Sequence, residues 1–249
     1  MNKITVEICC GSYCDALAAA AGKAERIELN SALALGGLTP SIAELLLVKR
    51  ETALKVIAMA RPRGGGFCYG VEDFKQMFFD CQMMMRHGAD GVAFGCLKAD
   101  KTIDLSQTEM MVRAIKDSGG EAVFHRAFDC VNNPYEAAEQ LITLGVDRIL
   151  TSGQKEKAPE GAGLIKELND RYGDRIQILA GSGIHAGNAE DLIRQTGISQ
   201  IHSSCRDWVM DPTTKGAEVS YAFADPAHEM CYDAVSKEKG EELIKFSNK

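Results

Sequence analysis

One phrase returns along the chain, at Gly22-Lys-Ala-Glu-Arg-Ile27, Gly88-Ala-Asp-Gly-Val92, Gly145-Val-Asp-Arg-Ile149 and Gly197-Ile-Ser-Gln-Ile201. Glycine suits the left-handed residue that closes a helix, and β-branched residues suit the strand that follows. Each copy therefore reads as helix end, short loop, strand. Filling the intervals predicts strands over residues 4–9, 26–30, 55–60, 91–95, 122–125, 148–151, 176–180 and 200–203. Their starts lie roughly 28 residues apart, the length of a βα unit with short connections. Helix starts are predicted from Thr39-Pro40, from a capping box at Ser106-Gln-Thr-Glu109, and from Asn133-Pro134. This alternation implies a parallel sheet, and eight repeats favour a closed (β/α)8 TIM barrel over an open doubly wound sheet. All 249 residues fit one domain, with the barrel over about 1–205 and a tail over about 206–249 packed across one barrel end. Within that tail, 206–233 lacks a clean period, and 234–246 has the pattern of a terminal helix.

Charge narrows the partners. Against 35 acidic residues stand 28 basic ones, a net of −7, so the cationic excess that holds phosphate backbones is missing and no nucleic-acid partner is expected. Apolar runs such as 16–21 and 45–48 fall far short of the roughly 20 residues a membrane-spanning helix needs, and Glu7 stands where a signal peptide would be apolar. Nine cysteines, an odd number with no Cys-x-x-Cys pair, read as reduced thiols in a cytoplasmic protein.

Strand alternation then sorts the polar residues. In Arg26-Ile-Glu-Leu-Asn30, Ile27 and Leu29 take the helix-facing side, leaving Arg26, Glu28 and Asn30 to point into the barrel. Thr5, Glu7 and Cys9 oppose Val6, Ile8 and Cys10 on the first strand, and His202 opposes Ile201 on the last. Two carboxylates buried on adjacent strands need cations or protons nearby. Candidate cations follow the third and fifth strands, as Arg61 and Arg63 in one and His125 and Arg126 in the other, with Asp129 just beyond. Carboxyl ends of strands are where barrel enzymes place their sites, which nominates Glu7, Glu28, His125 and Asp129 as acid–base residues. Small and hydroxylated strand ends at Ser152, Gly181, Gly183 and Ser203, together with Arg61, Arg63, Arg126 and His202, fit a small anionic ligand such as a phosphate or carboxylate. A structural ion-pair network is the alternative reading of the same charges. Cys9, Cys10 and Cys14 gather soft donors near the end of the first strand, a candidate copper(I) site, although consecutive strand residues point to opposite sides. No His-x-His pair supports a metallohydrolase, and no lysine at a strand end supports a Schiff-base aldolase.

Taken together, Arg26-Ile-Glu-Leu-Asn30, Gly36-Gly-Leu-Thr-Pro-Ser41, Arg61-Pro-Arg-Gly-Gly, His125-Arg-Ala-Phe-Asp129, Leu150-Thr-Ser-Gly153 and Gly181-Ser-Gly-Ile184 resemble the CutC copper homeostasis family over nearly the whole chain. The resemblance implies a TIM barrel, a cytoplasmic homo-oligomer and a role in intracellular copper handling, with no reaction attached. It also implies cysteine at position 30 and glycine at position 182, where this chain has Asn30 and Ser182. The alternative is a barrel enzyme or ligand-binding protein for a small phosphorylated or carboxylated metabolite, using Glu28 and His125.

Overall fold

The structure is a computed structural model that describes residues 4–247. Eight parallel strands, β1 (Thr5–Cys10), β2 (Arg26–Leu29), β3 (Lys55–Met59), β4 (Gly91–Phe94), β5 (Glu121–Phe124), β6 (Arg148–Thr151), β7 (Gln177–Gly181) and β8 (Gln200–Ser203), pair in sequence order and close into a barrel. Closure is made where β8 meets β1, with Glu7 opposite His202. On the other side of β1, Cys9 lies opposite Glu28. Helices α1 (Tyr13–Ala21), α2 (Ile42–Glu51), α3 (Val71–Arg86), α4 (Leu105–Asp117), α5 (Pro134–Leu144), α6 (Ala162–Tyr172) and α7 (Ala186–Thr196) each follow the strand of the same number. The barrel is thus the fold the repeat predicts.

Local chemistry explains the joints. Gly145 and Gly197 close α5 and α7 at φ of 83° and 72°, the conformation that glycine tolerates best. Asn133 caps α5 with Pro134 behind it, as expected. Two other predicted starts are displaced. Helix α2 is capped by Ser41, in a reciprocal box with Glu44, because Thr39 is tied to the Arg61 backbone instead. Helix α4 is capped by Asp104, which accepts from the Gln107 amide, so Ser106 lies inside the helix. Gly22 departs from the repeat at φ −77°, and a side chain there would press on the Lys237 carbonyl at 3.1 Å.

The segment after β8 differs most from expectation. It forms an antiparallel hairpin, β9 (Arg206–Met210) with β10 (Cys231–Val235), and then α8 (Lys237–Ser247), which packs on α1, α7 and β1. Helix α8 is therefore the eighth helix of the ring, and the hairpin is an enlarged β8–α8 loop at the carboxyl ends of the strands. The tail expected over about 206–249 is thus this loop and helix, with the hairpin over one barrel end. Alternation failed to show the hairpin because β9 is largely exposed and β10 is half-buried with only Val235 in the core, so neither strand has a regular apolar side. Asp15 on α1 ties this loop down: one carboxylate oxygen accepts from Val235 N at 2.8 Å and the other from Gly11 N at 2.9 Å.

Between strands and helices lies the main apolar core, while a small cluster of Ile57, Met59, Ala93 and Val123 fills the barrel interior on the β3–β5 side. The opposite half of the interior is polar. Among the described residues, no helix is long and apolar enough to cross a membrane.

Replacing Asp15 with Ala strands two N–H groups, at about 1–3 kcal/mol for each left unsatisfied. The expected outcome is a loss of roughly 2–4 kcal/mol in urea unfolding, with faster limited proteolysis across 206–236.

Candidate functional site

Glu7 sits at the centre of the polar half. It is 1% exposed, yet its carboxylate meets Arg26 Nε at 2.6 Å and Arg148 Nη1 at 3.9 Å, and accepts from His202 Nδ1 at 2.9 Å. Burial alone would raise its pKa; the His202 hydrogen bond and the charges of Arg26, His202 and Arg148 overcome that and hold it at about 2. Below Glu7 the network continues through side-chain amides. Arg26 donates to Gln200 at 2.8 Å, Gln200 to Gln177 at 2.6 Å, and Arg148 to Gln177 at 3.1 Å and Glu121 at 2.8 Å. The cations that balance Glu7 are thus Arg26 and Arg148 on the strands themselves, in place of the expected Arg61 and Arg63. Arg148, like Arg26, is the charged residue that opens its strand, a position open to the same alternation argument.

One layer higher, at the mouth, stand Cys9, Glu28 and His202, whose donor atoms all lie within 4.8 Å of one another. Cys9 Sγ donates to Glu28 Oε2 at 3.8 Å, Asn30 Nδ2 donates to the same oxygen at 3.0 Å, and His202 Nε2 is 3.9 Å from it. Glu28 Oε1 is buried without a partner. Burial, with the neighbouring Glu7 charge, raises the Glu28 pKa against the opposing pull of His202 and Asn30. Burial and the Glu28 charge likewise push the Cys9 thiol up. For His202, burial disfavours the charged ring, but the Glu7 hydrogen bond and the two carboxylate charges outweigh it and raise the pKa. Protonation is thus favoured in the mouth layer relative to free side chains, while Glu7 beneath it is held ionised.

The expected thiol trio is corrected. Cys10 is wholly buried, with its thiol donating to the Ile8 carbonyl, and Cys14 is exposed on α1, so neither joins Cys9. Strand alternation accounts for Cys10, and the helix start accounts for Cys14. Asn30 does not replace them: its Nδ2 faces Cys9 and Glu28, while Oδ1 lies against Gly37.

These residues open on a cavity of about 1000 Å³, bordered on the far side by Arg61, Phe67 and His125 and roofed by Asp233 and Val235 of the β8–α8 loop and Lys239 of α8. His125 and Arg126 both line it. Asp129 does not: its carboxylate accepts from Ser152 N, Ser152 Oγ, Gln154 N and Arg126 Nε, which makes it an anchor of the loop after β6. Ser152 is consumed in the same network, donating to Asp129 and receiving from Arg126 at 2.7 Å. Arg63 turns outward to Asp73 at 2.7 Å, over the Tyr69 ring. Gly181 is buried within β7, whereas Gly183, His202 and Ser203 reach the cavity. The Ser203 hydroxyl donates to the Ile184 carbonyl at 2.6 Å. His185 caps α7 by accepting from Gly187 N, with its own N–H given to Asn188, so the first turn of that helix largely satisfies itself.

What these features define is a (β/α)8 barrel with a buried Cys–Glu–His cluster above a charged ring. The CutC family model matches residues 4–207, and the chain belongs to the CutC family. The family protein CutC of Treponema denticola is 47% identical over 215 residues, covering 86% of this chain and 87% of that one. Its counterpart from Bacteroides fragilis is 40% identical over 208 residues, 83% of this chain and 82% of the other. Among solved structures, a CutC provisionally assigned to copper homeostasis in Streptococcus agalactiae matches with TM-score 0.75 and 30% identity, over 81% of this chain and 98% of that chain. An N-(5′-phosphoribosyl)anthranilate isomerase from Pyrococcus furiosus, at 13% identity and TM-score 0.56 over 98% of each chain, shares the fold alone.

His125 offers a pH test. Burial and then the Arg61 charge lower its pKa to about 3 from 6.5. Between those values the unfolded chain binds the proton and the folded one does not, so stability rises with pH by about 1.4 kcal/mol per unit. In His125→Asn, whose amide oxygen can still accept from Ala127 N, this component of the slope disappears. Urea unfolding of both proteins at pH 5 and 6.5 should show the difference at roughly 2 kcal/mol.

Proposed function

We propose that the protein handles copper by holding one ion at the barrel mouth on Cys9 Sγ, Glu28 and His202 Nε2. The observation that carries this reading is the meeting of three different donors from β1, β2 and β8 within 4.8 Å, one of them with a buried oxygen lacking any partner. The provisional assignment of the Streptococcus agalactiae relative to copper homeostasis supports the choice of metal. So does the chemistry: a thiolate and an imidazole suit copper(I), and the carboxylate is a harder third donor. Glu7 accepts from His202 Nδ1–H and so leaves Nε2 as the free ring nitrogen, the carboxylate–histidine arrangement that orients metal ligands. All nine cysteines are unpaired, which fits a reducing, cytoplasmic setting. Exposed Met210, Val219, Tyr221 and Phe223 along the β8–α8 loop supply apolar surface that a homo-oligomer would cover.

Metal entry must displace the protons of Cys9 and His202. Apparent copper(I) affinity, measured by competition with a chromophoric chelator, should therefore rise at least tenfold per pH unit between pH 6 and 8. Cys9→Ser and His202→Gln should each abolish stoichiometric binding, while Cys10→Ser and Cys14→Ser leave it unchanged. The cysteine that the family resemblance implies at position 30 gives the converse test: Asn30→Cys places a second thiol beside Cys9, now 3.6 Å from the Asn30 amide nitrogen, and should tighten binding at least a hundredfold, about 3 kcal/mol. Retention of binding by Cys9→Ser would refute the assignment.

A further inference from the structure

Of the three buried arginines among the described residues, Arg26 and Arg148 each face a carboxylate, and Arg61 faces none. Arg61 is 5% exposed, and its guanidinium donates to three neutral acceptors: the carbonyls of Leu35 at 2.9 Å, Gly37 at 2.8 Å and Gly65 at 2.7 Å. Main-chain dipoles orient the group but leave a buried charge without its opposite. Next to it, Phe67 lies 5.2 Å from the Arg61 guanidinium carbon and 5.0 Å from the His125 ring. The His125 ring is held by Ala127 N–H, which donates to Nδ1 at 3.1 Å. Its proton therefore belongs on Nε2, and that nitrogen is buried with no hydrogen-bond partner. Buried polar groups are nearly always paired, so the gap calls for an occupant. Arg61, Phe67 and His125 all border the same cavity, across from Cys9, Glu28 and His202.

We infer that Arg61, His125 and Phe67 form a subsite for the carboxylate of a small organic acid, separate from the metal-binding cluster. The carboxylate supplies the counter-charge to Arg61 and accepts from His125 Nε2–H, and its carbon skeleton runs past Phe67 over apolar Met59, Leu33 and Leu150. A single cation with one neutral donor matches a monoanionic head. The cavity, at about 1000 Å³, is far larger than a metal ion requires and fits a small-metabolite site.

Titration calorimetry with pyruvate, succinate and citrate at fixed ionic strength and pH 7 tests the subsite, with succinamide as the uncharged control and inorganic phosphate as the rival anion. At least one carboxylate should bind saturably and succinamide should not. His125→Asn, which keeps the Ala127 contact but lacks Nε2–H, should weaken that carboxylate tenfold or more. His125→Gln, whose amide nitrogen reaches the Nε2 position, should restore binding to within about threefold of the parent. Arg61→Lys tests the charge with a second folded variant and should also weaken binding. The titrations use metal-free protein and read carboxylate binding alone, so loss of the copper reading would leave this one standing. Binding of phosphate alone, equal binding of succinate and succinamide, parent-like affinity in His125→Asn, or no binding by any of the three acids would overturn it.

Discussion

An ionised carboxylate inside a barrel is the constraint from which the rest of the site follows. Glu7 keeps its charge because Arg26, His202 and Arg148 converge on it from β2, β8 and β6. The pairing only works in a closed sheet, since β8 and β1 come from opposite ends of the strand series. Removing one partner of such a set leaves the other charge buried and uncompensated, which typically costs about 3–5 kcal/mol. Closure and chemistry are therefore coupled here: the register that sets Glu7 against His202 also fixes which imidazole nitrogen faces the mouth.

That ordering separates the interior into two layers whose titrating groups are pushed in opposite directions. The lower ring of Glu7, Arg26, Gln200, Gln177, Arg148 and Glu121 is charged and joined by ion pairs and hydrogen bonds. The upper layer has too few permanent cations for its acids, so Glu28 and Cys9 are driven toward their neutral forms. A cluster that stores protons beside a fixed anion is suited to exchanging them for a cation. This is a property of the burial pattern, and it holds whichever donor atoms are considered first.

Much of this was legible before any coordinates. Spacing of the glycine phrases fixed eight units, and alternation in Arg26-Ile-Glu-Leu-Asn30 turned Glu28 inward, as it turned Glu7 and Cys9 inward on the first strand. Three things were hidden, each for a physical reason. Arg61 and Arg63 were natural partners for Glu7 by charge, but they lie on the loop after β3, where carbonyls and Asp73 occupy them. Asp129 sits in a motif that reads as acid–base chemistry, yet its oxygens are claimed by the amides of the next loop, a contact across more than twenty residues that no local pattern encodes. The β9–β10 hairpin buries only Val235, so the period that reveals a strand was absent. Its importance comes instead from where it hangs, over the mouth and tethered through Asp15.

The two walls of the cavity then differ in kind. On β8, β1 and β2 the side chains are titratable and mutually coupled, and their protons can be exchanged for a metal. On β3 and β5 the groups are fixed: Arg61 is held in a cage of carbonyls, and His125 is kept neutral by burial and by that same guanidinium. A neutral imidazole beside a permanent cation is a donor that does not switch off as the pH falls through the usual histidine range. The proton occupancy of one wall can thus vary with pH while the donors of the other stay constant. Because both walls border one enclosed space, an acid held by Arg61 and His125 would extend toward Glu28 and His202, and its far end would share the ion's surroundings.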